Sequence, residues 1–369
     1  MRLGIPKEIK NGERRVGMTP DGVRELTAHG HEVVVEYAAG EKSGFGDGEY
    51  LNAGAELVNA DAAWAADMVV KVKEPLPQEY VHLRPGLLLF TFLHLAAVPE
   101  LARKLVEHEV RAIGYETVEL EDGRLPLLAP MSQVAGRVGM MMAAQYLRAD
   151  LPNGMSGRGM LLGGIPGIPT GMTVVIGAGN VGRQAAHVAI GFDSEVVVLD
   201  RSEEHLQRLR HAMPAVRTEI YSDALLRELL PGCDVLIGAA LVPGEHAPRL
   251  LTESHLQMMP KGSVLVDIAI DQGGMSETSR PTSYNAPLYE TAGVLHCCLP
   301  NFPACVPRSS TIALQAATLP YIVSLADQGG EAAIRSDAAL RRGVNTWEGE
   351  VVHAGVAHGL EMPLGELTV

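Results

Sequence analysis

Short, almost wholly apolar runs alternate with helical patterns along this chain, in two separate series. The first series holds "RLGIP" (2–6), "HEVVVE" (31–36), "DMVVKVK" (67–73), "GLLLFTFL" (86–93) and "EVRAIGY" (109–115). The second holds "MTVVIG" (172–177), "SEVVVLD" (194–200), "VRTEIY" (216–221), "DVLIGA" (234–239), "SVLVDIA" (263–269) and "GVLHCC" (293–298). Strands that are apolar throughout must be covered on both faces, which is the situation of parallel sheets whose crossovers are helices. The connecting stretch "TPDGVRELTAHG" has the punctuation of such a helix, with Thr19 as N-cap and Gly30 just past the end. The pattern predicts an α/β chain with two doubly wound parallel-sheet domains, the second of Rossmann type. A helix through "MSQVAGRVGMMMAAQYL" (131–147) joins the two series. Ser132 is its expected cap, and Gly136 and Gly139 give it a face for close packing. A second long apolar helix follows Pro307, and Pro320 is expected to kink or end it.

The second series opens on "VVIGAGNVG", which sets Gly177, Gly179 and Gly182 in the pattern GxGxxG. Alone the pattern is weak in a chain with 40 glycines. Here it follows an apolar strand and, through Asn180 and Val181, opens a helical run. Gly177 makes the tight turn, Gly179 lets backbone approach a pyrophosphate at the helix N-terminus, and Gly182 lets helix and strand pack closely. The next strand ends in Asp200, eighteen residues beyond Gly182. A carboxylate there accepts hydrogen bonds from ribose hydroxyls and repels a 2′-phosphate, so the cofactor indicated is NAD.

Net charge of −14 makes nucleic acid and anionic membranes poor partners. The N-terminus lacks an apolar segment of signal-peptide length, and the apolar run near Leu87 is too short to span a bilayer, which points to a cytoplasmic protein without a membrane. The four cysteines form no CxxC pair, so no metal site is expected and buried, reduced thiols are.

In open α/β sheets ligands sit beyond the carboxyl ends of strands. Arg15 follows the first strand, Lys73 and Lys71 the third, and His94 the fourth; in the second series Asp271 lies just past "VLVDIAI". A cationic pair suits a small carboxylate, and a histidine with an aspartate suits proton transfer beside a hydride acceptor. Each also has an ordinary reading: His94 as a strand-end core residue, the cations as solvated charges, Asp271 as a turn cap. Period-two alternation puts Lys71 and Lys73 on the same side and does not choose between them, and Asp267 competes with Asp271.

The chain resembles the alanine dehydrogenases almost end to end. The resemblance runs through "GIPKEIKNGERRV", "VKVKEPLP", "FTFLHLAA", "YETVEL", "LPLLAPMSQVAGR", "VIGAGNVG", "IGAALVPG", "VDIAIDQGG", "SRPT" and "VPRSST". It implies reversible, NAD-dependent oxidative deamination of L-alanine to pyruvate and ammonium. It further implies that His94 and Asp271 are the catalytic pair, that Arg15 and Lys73 bind the substrate, and that Met131 and Asn301 line its pocket. Cofactor contacts would come from Ser132 at the pyrophosphate and Asp200 at the ribose, with Gly177, Gly179, Asn180, Val181, Gly182, Ser222, Ala240, Leu241, Ile268, Ala269, Ile270, Asp271, Arg280, Leu299, Pro300, Asn301 and Phe302. The C-terminal helices would return to the first domain. The expected boundaries are then 1–130 plus 306–369 for a substrate domain and 131–305 for the NAD domain, in a homohexamer. Gln133, His205, Pro300 and Phe302 depart from the family pattern, and none of the four is a proton-transfer or carboxylate-binding group.

Overall fold

The computed structural model describes residues 1–240 and 247–369. These form two compact units, Met1–Met131 with Val306–Val369, and Ser132–Cys305. The chain passes from one to the other within the helix Ala129–Tyr146.

In the first unit the strands are β1 (Arg2–Ile5), β2 (Glu32–Glu36), β3 (Glu56–Val58), β4 (Met68–Val70), β5 (Leu88–Thr91) and β6 (Arg111–Gly114). The second unit supplies β7 (Met172–Ile176), β8 (Glu195–Asp200), β9 (Arg217–Ile220), β10 (Cys233–Gly238), β11 (Val264–Asp267), β12 (Tyr289–Thr291) and β13 (Val294–Cys297). The chain ends back in the first unit with β14 (Val344–Trp347) and β15 (Glu350–Val351).

The first sheet has eight strands in the order β15-β14-β6-β5-β4-β1-β2-β3. From β3 to β6 every pairing is parallel, and β14 and β15 add antiparallel edge strands. Its apolar runs are buried on both faces: Leu3, Ile5, Val33, Val34, Met68, Val69, Leu89 and Phe90 are all within the core. On one face Leu101 and Leu105 of the helix Pro99–Glu107 and Val356 and Ala357 of the C-terminal helix pack on Val69, Leu89 and Ala112. Strand order reverses between β1 and β4, so the loops leaving those two strands diverge and leave a crevice at their carboxyl ends.

The second sheet has seven strands in the order β12-β13-β11-β10-β7-β8-β9. All its pairings are parallel except β12 with β13, and the order reverses between β7 and β10. The helix Ala129–Tyr146 lies close on this unit: a Cβ on Gly136 would meet the Val181 carbonyl oxygen at 2.1 Å, and one on Gly139 the Ile268 side chain at 2.7 Å.

Both sheets are thus doubly wound and mostly parallel, as expected, with antiparallel strands at one edge. Four strands escape the apolar-run criterion. Of these, β3 is three residues long and begins with Glu56, and β14 contains Asn345, whose buried amide donates to Thr117 Oγ1 and the Gly343 carbonyl. A tight turn through Ala292 and Gly293, both at positive φ (56° and 78°), makes β12 and β13 a hairpin.

Two helix boundaries differ from expectation. The helix Ala129–Tyr146 begins before Ser132, because Pro130 is tolerated in a first turn, so Ser132 is not its cap. The helix Pro307–Gln328 does not end at Pro320 but continues past it. An interior proline costs about 3 kcal/mol, but this helix buries Leu314, Thr318, Ile322 and Leu325. It also accepts backbone N–H groups from Val16 at Thr311 and from Thr19 at Gln315. By length and composition it is apolar enough to cross a membrane, yet these buried polar ties make it a core helix of the first unit.

Candidate active site

The loop after β1 brings Glu13 and Arg15 into the interior, 1% and 2% exposed. Glu13 grips Arg15 in a fork: Nε donates to Oε1 at 2.7 Å and Nη2 to Oε2 at 2.6 Å. The backbone N–H groups of Arg14 and Arg15 close on the same carboxylate. The guanidinium is fixed by this bidentate pair, and its Nη1 lies 3.0 Å from Met131 Sδ. Two residues implied at the substrate pocket therefore meet.

Lys71 and Lys73 both lie just past β4, and burial separates them. Lys71 is fully buried, with its ammonium 2.8 Å from Glu79 and 3.3 Å from Glu8. Desolvation alone would push its pKa down, but the two carboxylates outweigh it and hold the ammonium above the ordinary lysine range. Lys73 is half-buried and makes no ion pair among the described residues. Burial, then Arg15, then Lys10 push its pKa below the ordinary range. A desolvated lysine beside a fixed arginine is electrostatically incomplete, and a small carboxylate would complete it.

His94 lies three residues beyond β5 in the left-handed region, at φ 50° and ψ 37°. Glu116, after β6, pins this strained backbone by accepting the N–H of His94 at 2.6 Å and of Leu93 at 3.0 Å. The imidazole stacks on Phe92, with ring centroids 5.8 Å apart, and its Nδ1 is 3.1 Å from Glu74 Oε2. Glu74 is buried and also binds the Lys10 ammonium. Burial pushes its carboxyl up, but the His94 and Lys10 contacts win and hold it at about 2. Motif reading assigned no role to Glu13, Glu74 or Glu116. Their signal is adjacency, since Glu74 directly follows Lys73 and Glu13 precedes Arg15 by two.

In the second unit, the turn after β7 fits a dinucleotide by the test of its own glycines. A Cβ on Gly177, which has φ 108°, would strike the Ala239 backbone at 2.7 Å. One on Gly182 would meet the Gly177 carbonyl oxygen at 1.7 Å. A Cβ on Gly179, by contrast, would meet nothing within 4 Å. The outer two glycines are demanded by the chain itself; the middle one keeps open space before the helix Asn180–Gly191, whose N-terminus has no side-chain cap. Anions are favoured at such a terminus. Asp200 at the end of β8 is tied to this turn, accepting the Ala178 N–H at 2.6 Å and the Ser202 N–H at 2.7 Å. His205 Nδ1 is 3.5 Å from the same carboxylate.

Arg15 and Lys73 follow the two strands at the order reversal of the first sheet, and the glycine turn follows β7 at that of the second. Residues 4–135 match the family "Alanine dehydrogenase/PNT, N-terminal domain", and residues 140–354 match "Alanine dehydrogenase/PNT, C-terminal domain". The chain belongs to the alanine dehydrogenase/PNT family. Alanine dehydrogenase 2 of Staphylococcus aureus (strain USA300) is 47% identical over 365 residues, which cover 98% of this chain and 97% of the relative. A solved L-alanine dehydrogenase matches with a TM-score of 0.93 at 45% identity, covering 98% of this chain and 99% of that one. The crystal structure of a transhydrogenase from Sinorhizobium meliloti matches at 0.81 and 25% identity, with 96% and 99% covered. As a member of this family the chain is an NAD-dependent oxidoreductase.

For an alanine dehydrogenase family member, the remaining residues fall as follows. Asp267 is buried and saturated by Ala269 N–H, Met275 N–H and the Ser279 hydroxyl, with burial pushing its carboxyl up. Asp271 is exposed in the turn Ile268–Gln272, and its Oδ2 is 3.4 Å from the Asn301 N–H. Asn301 is at φ 64°, and its carbonyl accepts the Tyr284 hydroxyl at 2.7 Å. Ile268, Ala269 and Ile270 share the Asp271 turn, while Leu299 and Phe302 are buried and Pro300 is half-buried. Arg280 lays its guanidinium 4.2 Å from the Tyr289 ring centroid. Ser132 is half-buried, and the Ala240 N–H faces Met275 Sδ at 3.3 Å. Ser222 is a helix cap, its hydroxyl accepting the Leu225 N–H. Leu241 lies outside the described residues.

Proposed function

We infer that this chain catalyses the reversible, NAD-dependent oxidative deamination of L-alanine to pyruvate and ammonium. The observation that carries the reading is the half-buried Lys73 beside Arg15, a desolvated cationic pair at the carboxyl ends of β1 and β4. Arg15 and Lys73 hold the substrate carboxylate, and Met131 and Asn301 line the pocket around the short side chain. Positioning of this kind supplies much of the rate, because it presents the Cα–H in one orientation.

NAD, when bound, supplies the hydride acceptor. The residues fitted to it are Gly177, Gly179, Asn180, Val181 and Gly182 at the pyrophosphate with Ser132, and Asp200 at the ribose. Ser222, Ala240, Leu241, the stretch Ile268 to Asp271, Arg280 and Leu299 to Phe302 complete the cofactor contacts. The substrate ammonium first gives a proton to solvent, and loss of hydride from the Cα of the resulting amine leaves a protonated imine on the substrate. Water adds to that carbon, and His94 takes the proton the water gives up. Asp271 orients the nitrogen and assists its protonation by His94, and the hydroxyl gained from the water releases its proton to solvent as the C–N bond breaks and ammonia leaves. The unit containing His94 is the substrate domain and the unit containing Asp200 the NAD domain. The enzyme works as a cytoplasmic homohexamer; the buried thiols of Cys233, Cys297 and Cys298 support a reducing compartment.

The test is NADH oxidation followed at 340 nm with pyruvate and ammonium. Turnover that requires both is expected. An enzyme that leaves NADH unchanged with both present would overturn the reading.

A further inference from the structure

His94 is held from two sides by carboxylates that do different things. Among the described residues Glu116 binds backbone N–H groups alone, and so fixes where the residue sits. Glu74 reaches the ring, with Oε2 at 3.1 Å from Nδ1, while its Oε1 takes the Lys10 ammonium. The Glu74 side chain is 4% exposed and that of His94 39%, so the carboxylate is the enclosed partner and the imidazole opens outward. An ionised carboxylate has no proton to give, so this contact requires the hydrogen on Nδ1. The charge on Glu74 is secured by His94 and Lys10, which hold its pKa at about 2 against burial.

Resting on the acid/base reading of His94, we propose that Glu74 is a positioning residue: it holds the Nδ1–H of His94, so that Nε2 is the nitrogen exchanging protons with the substrate, and it balances the imidazolium formed there. In deamination Nε2 takes the proton released by the attacking water while Nδ1 keeps its own. The reverse reaction returns that proton from Nε2. The same logic gives any catalytic histidine its working nitrogen: the partner of one ring nitrogen decides the state of the other. Among the described residues, the titratable groups near the ring include Glu74, with Lys10 and Lys73 near it, Glu116 beneath the backbone, and His353 near Glu116 at the start of the C-terminal helix. Of these only Glu74 touches a ring nitrogen.

The experiment compares Glu74→Gln, Glu74→Asp, Lys10→Met and His94→Gln in the full-length enzyme. The deamination rate is measured against pH, with pyruvate KM and NADH affinity alongside. Glu74→Gln is expected to lower kcat by about 10-fold or more while KM and NADH affinity stay within about threefold. Its pH limb should move to lower pH, because the imidazolium loses its anionic neighbour. Glu74→Asp should recover part of the rate and most of the limb. Lys10→Met should leave the limb in place; if it reproduces Glu74→Gln instead, Glu74 acts through Lys10 and the proposal falls. An unmoved limb in Glu74→Gln, with the limb abolished in His94→Gln, would overturn the role of Glu74 and leave that of His94 standing. A normal rate in His94→Gln would instead overturn the acid/base reading itself. Should Glu74→Gln fail to fold, nitrogen NMR of the His94 ring in the unmutated enzyme decides: a neutral ring with its hydrogen on Nδ1 is expected, and one with its hydrogen on Nε2 refutes the proposal.

Discussion

Lys71 and Lys73 are two residues apart at one strand end, and replacing each by methionine should have opposite consequences. Methionine keeps much of the stem and removes the charge. In Lys71→Met the carboxylates of Glu8 and Glu79, each 5% exposed, lose the ammonium between them. Breaking a buried pair by deleting one partner costs about 3–5 kcal/mol, so the urea midpoint of the unfolding transition should fall clearly. Lys73→Met removes a cation that burial, Arg15 and Lys10 all disfavour, so the midpoint should hold or rise. Its activity should suffer instead. A charge-assisted hydrogen bond is worth about 1.5–3 kcal/mol, which corresponds to roughly 10- to 150-fold in kcat/KM for pyruvate. The loss should fall mainly on KM, with NADH affinity preserved. Far-UV circular dichroism in urea and initial rates over a pyruvate series read both arms. A Lys73→Met enzyme as destabilised as Lys71→Met, with unchanged pyruvate KM, would refute the division of labour.

Other outcomes follow from single observations. NAD should be preferred over NADP by at least about tenfold, and Asp200→Ala should erode the preference; equal rates with both cofactors in the unmutated enzyme would remove Asp200 from that role. Gly179→Ala should fold normally and bind NADH at least about tenfold more weakly, whereas Gly182→Ala should disrupt the second unit because its Cβ would meet the Gly177 oxygen at 1.7 Å. Calorimetry and NADH titration separate the two. Because the Lys73 pKa is lowered, pyruvate KM should begin to rise at a pH below the ordinary lysine value of 10.5. The Glu74 carboxyl, about 2 in the fold against an ordinary 4.5, stabilises the protein fully above pH 4.5 and loses that contribution as pH falls toward 2. Acid unfolding of Glu74→Gln should lack this part of the slope.

The sheet centres were legible because a strand covered on both faces must be apolar throughout, and Val33 to Val35 or Val196 to Leu199 can be little else. The edges were not. Strand β14 buries Thr346 and Asn345 through hydrogen bonds to residues more than two hundred positions away, which no local window contains. That the helix continues past Pro320 was hidden for the same reason, since it is held by tertiary contacts to Val16 and Thr19. The glycine turn and Asp200 were readable because backbone geometry demands particular residues at fixed spacing. The choice between Lys71 and Lys73 was invisible to periodicity, since alternate strand positions share a face; burial and the carboxylates around Lys71 separate the two. Glu74 and Glu116 were missed because their partner is the orientation of His94, a property of folded geometry.

The most direct test is stopped-flow NADH formation from L-alanine with His94→Gln beside the unmutated enzyme. The unmutated enzyme should form NADH with a rate that rises through one titration. The variant should fold and bind NADH normally, lose about 10²-fold or more in kcat, and show no such limb. A variant with near-normal kcat and an unchanged pH profile would contradict the assignment and make His94 a strand-end residue without a part in the chemistry.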